Sequence, residues 1–158
     1  MHKWTQSGVR WLWITAIVMI LDRLTKNFAE EYLSAYTPLA IMPGFNLTLS
    51  YNKGAAFSFL DHVSGQTWIF GSIAIIVSIA ILIWLIRLPW RHYWTCIALS
   101  LIVGGALGNL WDRLAYGHVI DFIQLYVSHF YWPVFNIADS AVCVGAVILF
   151  ICSFKKSV

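Results

Sequence analysis

From Trp68 to Ile86 the chain carries no charged residue, and this run limits what the chain can fold into. In helical form it would rise about 28 Å, close to the ~30 Å hydrocarbon core of a bilayer. The run predicts a membrane span. Composition points the same way: 60% of the residues are hydrophobic and 11% are charged, against roughly 25% charged in soluble domains. The length of 158 residues fits one compact domain. The net charge of +3 comes from dispersed basic residues without a basic stripe, which argues against nucleic acid as a partner. Lipid, or something embedded in lipid, is the expected partner.

Three further stretches have spanning character. Tyr93 to Leu110 is uncharged, and its Gly104-x-x-x-Gly108 spacing lets another helix approach closely. Phe135 to Phe154 holds a single acid, Asp139, near its start, and Ala141-x-x-x-Gly145 gives it a small-residue face. Trp11 to Leu21 is short and is followed at once by Asp22, Arg23 and Lys26. With Lys3 and Arg10 ahead of it, this run also resembles a cleaved secretory signal, but no small-x-small cleavage site follows it directly. The reading is therefore a retained helix to about Phe28, with Asp22 and Lys26 pairing across one turn. The expected architecture is membrane all-α: one integral membrane domain, 1–158, with four transmembrane helices at about 11–28, 68–86, 93–110 and 135–154.

Lysines and arginines set the expected orientation. With the amino terminus in the cytoplasm, Lys3, Arg10, Arg87, Arg91, Lys155 and Lys156 stay inside, and both termini are cytoplasmic. Every Asp and Glu then lies toward the opposite side, within 22–61 and 112–139. The two outer segments are 29–67 and 111–134. Alternation over Phe45-Asn-Leu-Thr-Leu-Ser-Tyr51 marks a half-buried strand, bounded by Pro43-Gly44 and by Asn52-Lys-Gly54 as turn signals. Phe122 to Val127 and Phe130-Tyr-Trp132 are strand-like and aromatic enough for the headgroup level. A small extracytoplasmic β element is expected. Cys96, Cys143 and Cys152 fall inside apolar runs and read as core hydrophobes rather than a disulfide framework.

Four carboxylates converge on the outer rim: Asp22, Asp112 and Asp139 at helix ends, and Asp121 in the loop between the last two helices. Asn109 with Asp112, and Asn136 with Asp139, are three apart on a shared helix face, so each amide can donate to its acid and fix its rotamer. Arg113 beside Asp112 reads as a structural ion pair. Asp121 and Asp139 have no adjacent base, and acids left unneutralised near lipid are candidates for raised pKa values. Two carboxylates brought together share a proton. The ionised one can take a proton from water while the neutral one donates to a scissile carbonyl oxygen. That is aspartic-peptidase chemistry, and it needs no metal or cofactor. Spacing alone does not establish that Asp121 meets Asp139.

Other chemistries have less support. His2, His62, His92, His118 and His129 show no zinc-site spacing, and His118 and His129 read as solvated loop residues. The cysteines lie too deep for a Cys–His nucleophile, nothing singles out Ser50 with Lys53 or Ser58, and Gly-rich phosphate loops are absent. Asp61, Glu30 and Glu31 read as wet loop charges. A proton-coupled membrane carrier would also place acids at a rim. It would want polar residues through the bilayer, however, and the second span has only Ser72 and Ser78.

Five blocks occur in order: Asp22-Arg-Leu-Thr-Lys26, Tyr51-Asn-Lys-Gly-Ala-Ala-Phe-Ser58, Gly108-Asn-Leu-Trp-Asp-Arg113, Val119-Ile-Asp-Phe122 and Phe135-Asn-Ile-Ala-Asp-Ser140. Together they resemble the motifs of bacterial lipoprotein signal peptidase (signal peptidase II), over essentially the whole chain. The resemblance implies a four-helix inner-membrane aspartyl endopeptidase. Its substrates would be prolipoproteins, cut just before a cysteine that already carries diacylglycerol, and globomycin would inhibit it. Asp121 and Asp139 match the family's catalytic aspartates. Asp22, Lys26, Asn52, Gly54, Asn109, Asp112, Arg113 and Asn136 match positions that shape or support its site. A lipid-modified substrate would arrive laterally, and the 45–51 strand is expected to hold an extended peptide by main-chain pairing. Nothing in the sequence demands more than a monomer.

Overall fold

The computed structural model describes residues 6–54 and 66–155. The expectations for His2, Lys3, Ser58, Asp61, His62 and Lys156, and for the second half of the block ending at Ser58, concern residues outside these. A 3-10 turn, Gly8–Trp11, precedes α1 (Leu12–Tyr32), β1 (Leu39–Met42) and β2 (Phe45–Asn52). There follow α2 (Gln66–Arg87), α3 (Tyr93–Tyr116), β3 (Val119–Val127), β4 (Phe130–Tyr131) and α4 (Ile137–Lys155).

Helix α3 is the centre of the bundle, and its glycines set the helix spacing. A Cβ on Gly104 would lie 2.8 Å from Val18 Cβ, and one on Gly108 would lie 2.9 Å from Asp22 Oδ2, so α1 presses on this face. On the other side Gly105 abuts the carbonyl of Ala138 in α4, and a Cβ on Gly145 would lie 2.7 Å from the carbonyl of Ala98. Without a strong hydrophobic drive between helices in lipid, such close backbone packing is what holds them together. Gly105→Ala is expected to cost about 1–3 kcal/mol, because its neighbour is main chain and cannot rotate away. A fall of several degrees in the Tm of the detergent-solubilised protein is the measurement; an unchanged Tm would show that α3 and α4 can separate cheaply.

Helices α2, α3 and α4 are long and apolar enough to cross a membrane, over Trp68–Arg87, Tyr93–Tyr116 and Ile137–Phe154. Helix α1 carries Asp22, Arg23, Lys26, Glu30 and Glu31. It turns its polar side inward, burying Asp22 and Lys26 while leaving Trp13, Ile17, Ile20, Leu24 and Phe28 exposed. Cys96 is buried, but Cys143 is exposed on α4, contrary to the core reading. A helix that is apolar all round gives no sequence signal of which face is covered.

The sheet is larger than expected. Its order is β1-β2-β3-β4, and each neighbouring pair is antiparallel. Asp121 lies within β3, opposite Ser50 of β2, rather than in a loop. Strand β1, Leu-Ala-Ile-Met, is exposed along its length and has no alternation to announce it. Along Phe45–Leu47, β2 is paired on both sides, so, contrary to expectation, this stretch is not free to take an extended peptide. Ala29, Leu49, Ile120 and Phe122 form a buried cluster that seats the sheet on α1. Phe130, Tyr131 and Trp132 are exposed at its far end.

Helix α3 stops at Gly117, which caps it with a φ of +77° and donates its N–H to the carbonyl of Arg113. The chain can then enter β3 within two residues, which places Asp121 one short turn from the end of α3.

Candidate active site

Asn136 organises the site. It stands immediately before α4, and its side-chain oxygen accepts the N–H of Asp139 (2.9 Å). The Asp139 carboxylate in turn accepts the N–H of Asn136 (3.2 Å). This is a reciprocal capping box, with Asp in the place more often held by Glu or Gln. Because the oxygen of Asn136 faces its own helix, its amide nitrogen must face outward. Nδ2 donates to Asp121 Oδ1 (2.7 Å), to Asn109 Oδ1 (3.0 Å) and to the carbonyl of Ile120 (3.2 Å). One fully buried asparagine therefore holds both acids.

Each carboxylate has a second amide donor. Asn109 Nδ2 donates to Asp139 Oδ1 (2.7 Å), and Asn52 Nδ2 donates to Asp121 Oδ2 (2.9 Å). Asn52 is itself fixed by an Asx turn, its oxygen accepting the N–H of Gly54 (2.8 Å). Gly54 has a φ of +124°, which a side chain would strain.

Asp121 is 1% exposed. Burial, and next the charge of Asp139, raise its pKa from 3.8 to about 7, against the lowering effect of Asn52, Asn136 and Lys26. It is thus a carboxyl able to carry a proton near neutrality.

Behind this pair lies a buried ionic cluster. Lys26 Nζ, fully buried, contacts Asp22 Oδ2 (2.7 Å) and Asp112 Oδ2 (2.7 Å), and donates to Asn109 Oδ1 (3.1 Å). The oxygen of Asn109 is occupied by Lys26 and Asn136, so its NH2 group is directed at Asp139. Asp22 Oδ1 accepts the N–H of Ala138 (2.9 Å), one of the unpaired donors of the first turn of α4. Asp112 accepts from Ile120 N (3.2 Å) and from Arg23 (3.2 Å). Two carboxylates face one ammonium and one guanidinium, and the four elements α1, α3, β3 and α4 are tied at one point.

The predicted site residues thus converge, with different pairings. Asn109 serves Asp139 of another helix rather than Asp112, and Asn136 serves Asp121 as well as its own neighbour. Arg113 does not pair with Asp112 as expected. It donates to the carbonyl of Asn109 (3.2 Å) and lies over the ring of Phe70, 5.5 Å from its centroid. Consecutive helical residues point about 100° apart and do not face each other. Arg23, beside Asp22 in the first block, joins the cluster with no spacing to announce it, and also contacts Asn27 and Glu30. His118 is packed at 4.7 Å against the ring of Tyr51 rather than simply solvated. Among the described residues no group of His, Cys, Asp and Glu is arranged to hold a metal ion.

A family model described as signal peptidase (SPase) II matches residues 14–155. The chain is 51% identical over 149 residues to the lipoprotein signal peptidase of Pseudomonas aeruginosa, covering 92% of this chain and 88% of that protein. It is 46% identical over 152 residues to that of Alteromonas mediterranea, covering 96% and 84%. Among solved structures, a bacterial membrane enzyme determined by the in meso method at 1.9 Å superposes with a TM-score of 0.85 at 30% identity, covering 99% of both chains.

Proposed function

The chain belongs to the signal peptidase II family of aspartic-type peptidases, and on that premise we propose that Asp121 and Asp139 are the pair with which it removes signal peptides from prolipoproteins. The observation that carries this reading is the single asparagine, Asn136, hydrogen-bonded to both carboxylates. The family assignment sets aside the carrier reading.

In the proposed cycle Asp121 holds the shared proton and Asp139 is ionised. Asp139 takes a proton from a water molecule as the water oxygen bonds to the scissile carbonyl carbon, and Asp121 gives its proton to the carbonyl oxygen. In the second step Asp139 returns its proton to the leaving amide nitrogen as the C–N bond breaks. Asp121 regains its proton from the tetrahedral intermediate, so the pair ends as it began. The amides of Asn52, Asn109 and Asn136 hold both carboxylates in place throughout.

Helix α1 serves as a fourth span in this reading, supported by its exposed apolar side and inward-facing ions. Arg10, Arg87 and Arg91 at the opposite end from the dyad support cytoplasmic termini and an active site on the extracytoplasmic face of the inner membrane. The exposed apolar flanks of the bundle suit a substrate that keeps its diacylglyceryl chains in lipid and presents its peptide bond at the rim. The family motifs support globomycin as an inhibitor, and the closed hydrogen bonding of the site within one chain supports a monomer.

The test compares a precursor carrying diacylglyceryl cysteine with its unmodified form, both incubated with purified enzyme in detergent. The expected product begins at the lipidated cysteine by mass spectrometry. Equal cleavage of both forms, or a cut elsewhere, would refute the reading.

A pH dependence follows from Asp121. Its carboxyl is raised to about 7, so the proton donor is present below that pH and is lost as pH rises through it; kcat/KM, which reports the free enzyme, should fall on an alkaline limb near 7. Between about 4 and 7 the folded state binds more protons than the unfolded chain, so stability should decline over the same interval. A kcat/KM that stays flat to pH 9 would remove Asp121 from the donor role.

A further inference from the structure

Asn52, whose amide donates to Asp121 (2.9 Å), is the last residue of β2, and its pairing with Val119 is the last rung of the β2–β3 ladder. Strand ends fray unless something packs on them. Neighbouring residues of a strand point to opposite faces. Asn52 faces the dyad, so Tyr51 faces away from it, against the cluster that seats the sheet on α1. Two rings meet the Tyr51 ring there: His118 at 4.7 Å and 72°, and Tyr36 at 6.4 Å and 78°. His118 stands between Gly117, which caps α3, and Val119, the first residue of β3, so it belongs to the joint that delivers Asp121. It is also tied back to the ionic cluster. Tyr116 lies 6.3 Å from it, and Arg23, which binds Asp112, lies over the Tyr116 ring at 5.0 Å.

Edge-to-face ring pairs at such separations are attractive and directional. The ionic cluster thus reaches the dyad along two paths, through Asn109 to Asp139 and through the rings to Asn52. We infer that His118 is a positioning residue for the proton donor: its ring holds the Tyr51 end of β2, and with it the Asn52 amide, against Asp121. The inference rests on the donor role proposed above for Asp121. The amides of Asn52 and Asn136 and the charge of Lys26 favour the ionised carboxylate, while burial and Asp139 oppose it; Arg113 of α3 also acts on it. Loosening Asn52 should therefore move the Asp121 pKa further up. The charges nearest the His118 ring ladder are Arg23, over Tyr116, and Glu30, which acts on Tyr51.

The pH profile of kcat/KM for cleavage of a lipidated precursor in detergent tests this, with Tm measured for each variant. H118A should lower kcat/KM about tenfold on the acid side of the limb and move the alkaline limb up by about one pH unit. H118F, which keeps a ring and cannot titrate, should keep the wild-type rate and limb. N52A should show the same upward shift, and H118A/N52A should lose little beyond N52A alone, because both changes act on one hydrogen bond. Should H118A not fold, H118Q reads the same contact. The inference is overturned if H118A lowers Tm and leaves the limb in place, which marks a merely structural contact, or if the losses of H118A and N52A add in the double variant. It is overturned as well if H118F loses the limb, which would then be the titration of His118 itself. A wild-type profile without an alkaline limb would refute the donor role of Asp121 and this inference with it, whereas a limb present in wild type and unmoved in H118A refutes the inference alone.

Discussion

Asp121→Asn and Asp139→Asn should each lower kcat for cleavage of a lipidated precursor by about a thousandfold or more, with the fold retained. Positioned acids and bases contribute roughly 10²–10⁴-fold, and here each residue both gives and takes a proton in the proposed cycle, so losing either halts both steps. Asparagine keeps the shape but places an NH2 group where Asp121 now accepts donors on both oxygens. The misplaced donor should cost about 1–3 kcal/mol, which is visible in Tm but short of unfolding. Single-turnover cleavage measured beside Tm separates the two effects. Activity within tenfold of wild type in either variant would exclude the dyad mechanism.

Lys26→Met should be the most damaging change outside the dyad. It leaves Asp22 and Asp112, 2% and 1% exposed, without the ammonium that touches both. Breaking a buried ion pair by removing one partner typically costs about 3–5 kcal/mol. The oxygen of Asn109 also loses one of its two donors, so its amide can turn over and withdraw the hydrogen bond from Asp139. A large fall in Tm and at least a hundredfold loss of kcat are expected, the latter within the range for a positioned acid–base group. Adding Asp22→Asn to Lys26→Met should restore part of the Tm and none of the activity, since it removes an orphan charge without orienting Asn109. A Tm for Lys26→Met equal to wild type would mean that water reaches this cluster freely.

The spans of α2, α3 and α4 are legible in the sequence because lipid selects on apolarity alone, and Trp68 to Ile86 needs no other signal. The Asp22–Lys26 pair is legible because four residues make one turn. The cross-helix pairings are not legible, since nothing in the spacing of Asn109 shows that its amide reaches Asp139 thirty residues later. Local geometry favoured Asp112 for it, but Lys26 already occupies that carboxylate. Position in the family motifs brought Asn52 and Gly54 into the site, where spacing alone gave only a turn. Strand β1 stayed hidden because an exposed edge of four apolar residues has no period.

The order in which the chain is made bears on the cluster around Lys26. Helix α1 leaves the ribosome with Asp22 and Lys26 able to neutralise each other, while Asp112 and the amide of Ala138 follow 86 and 112 residues after Lys26. Until both are made, the polar groups of α1 lack the partners that they have in the folded protein. The cluster is therefore fastened in two stages, first by α3 through Asp112 and Asn109 and then by α4 through the amide of Ala138.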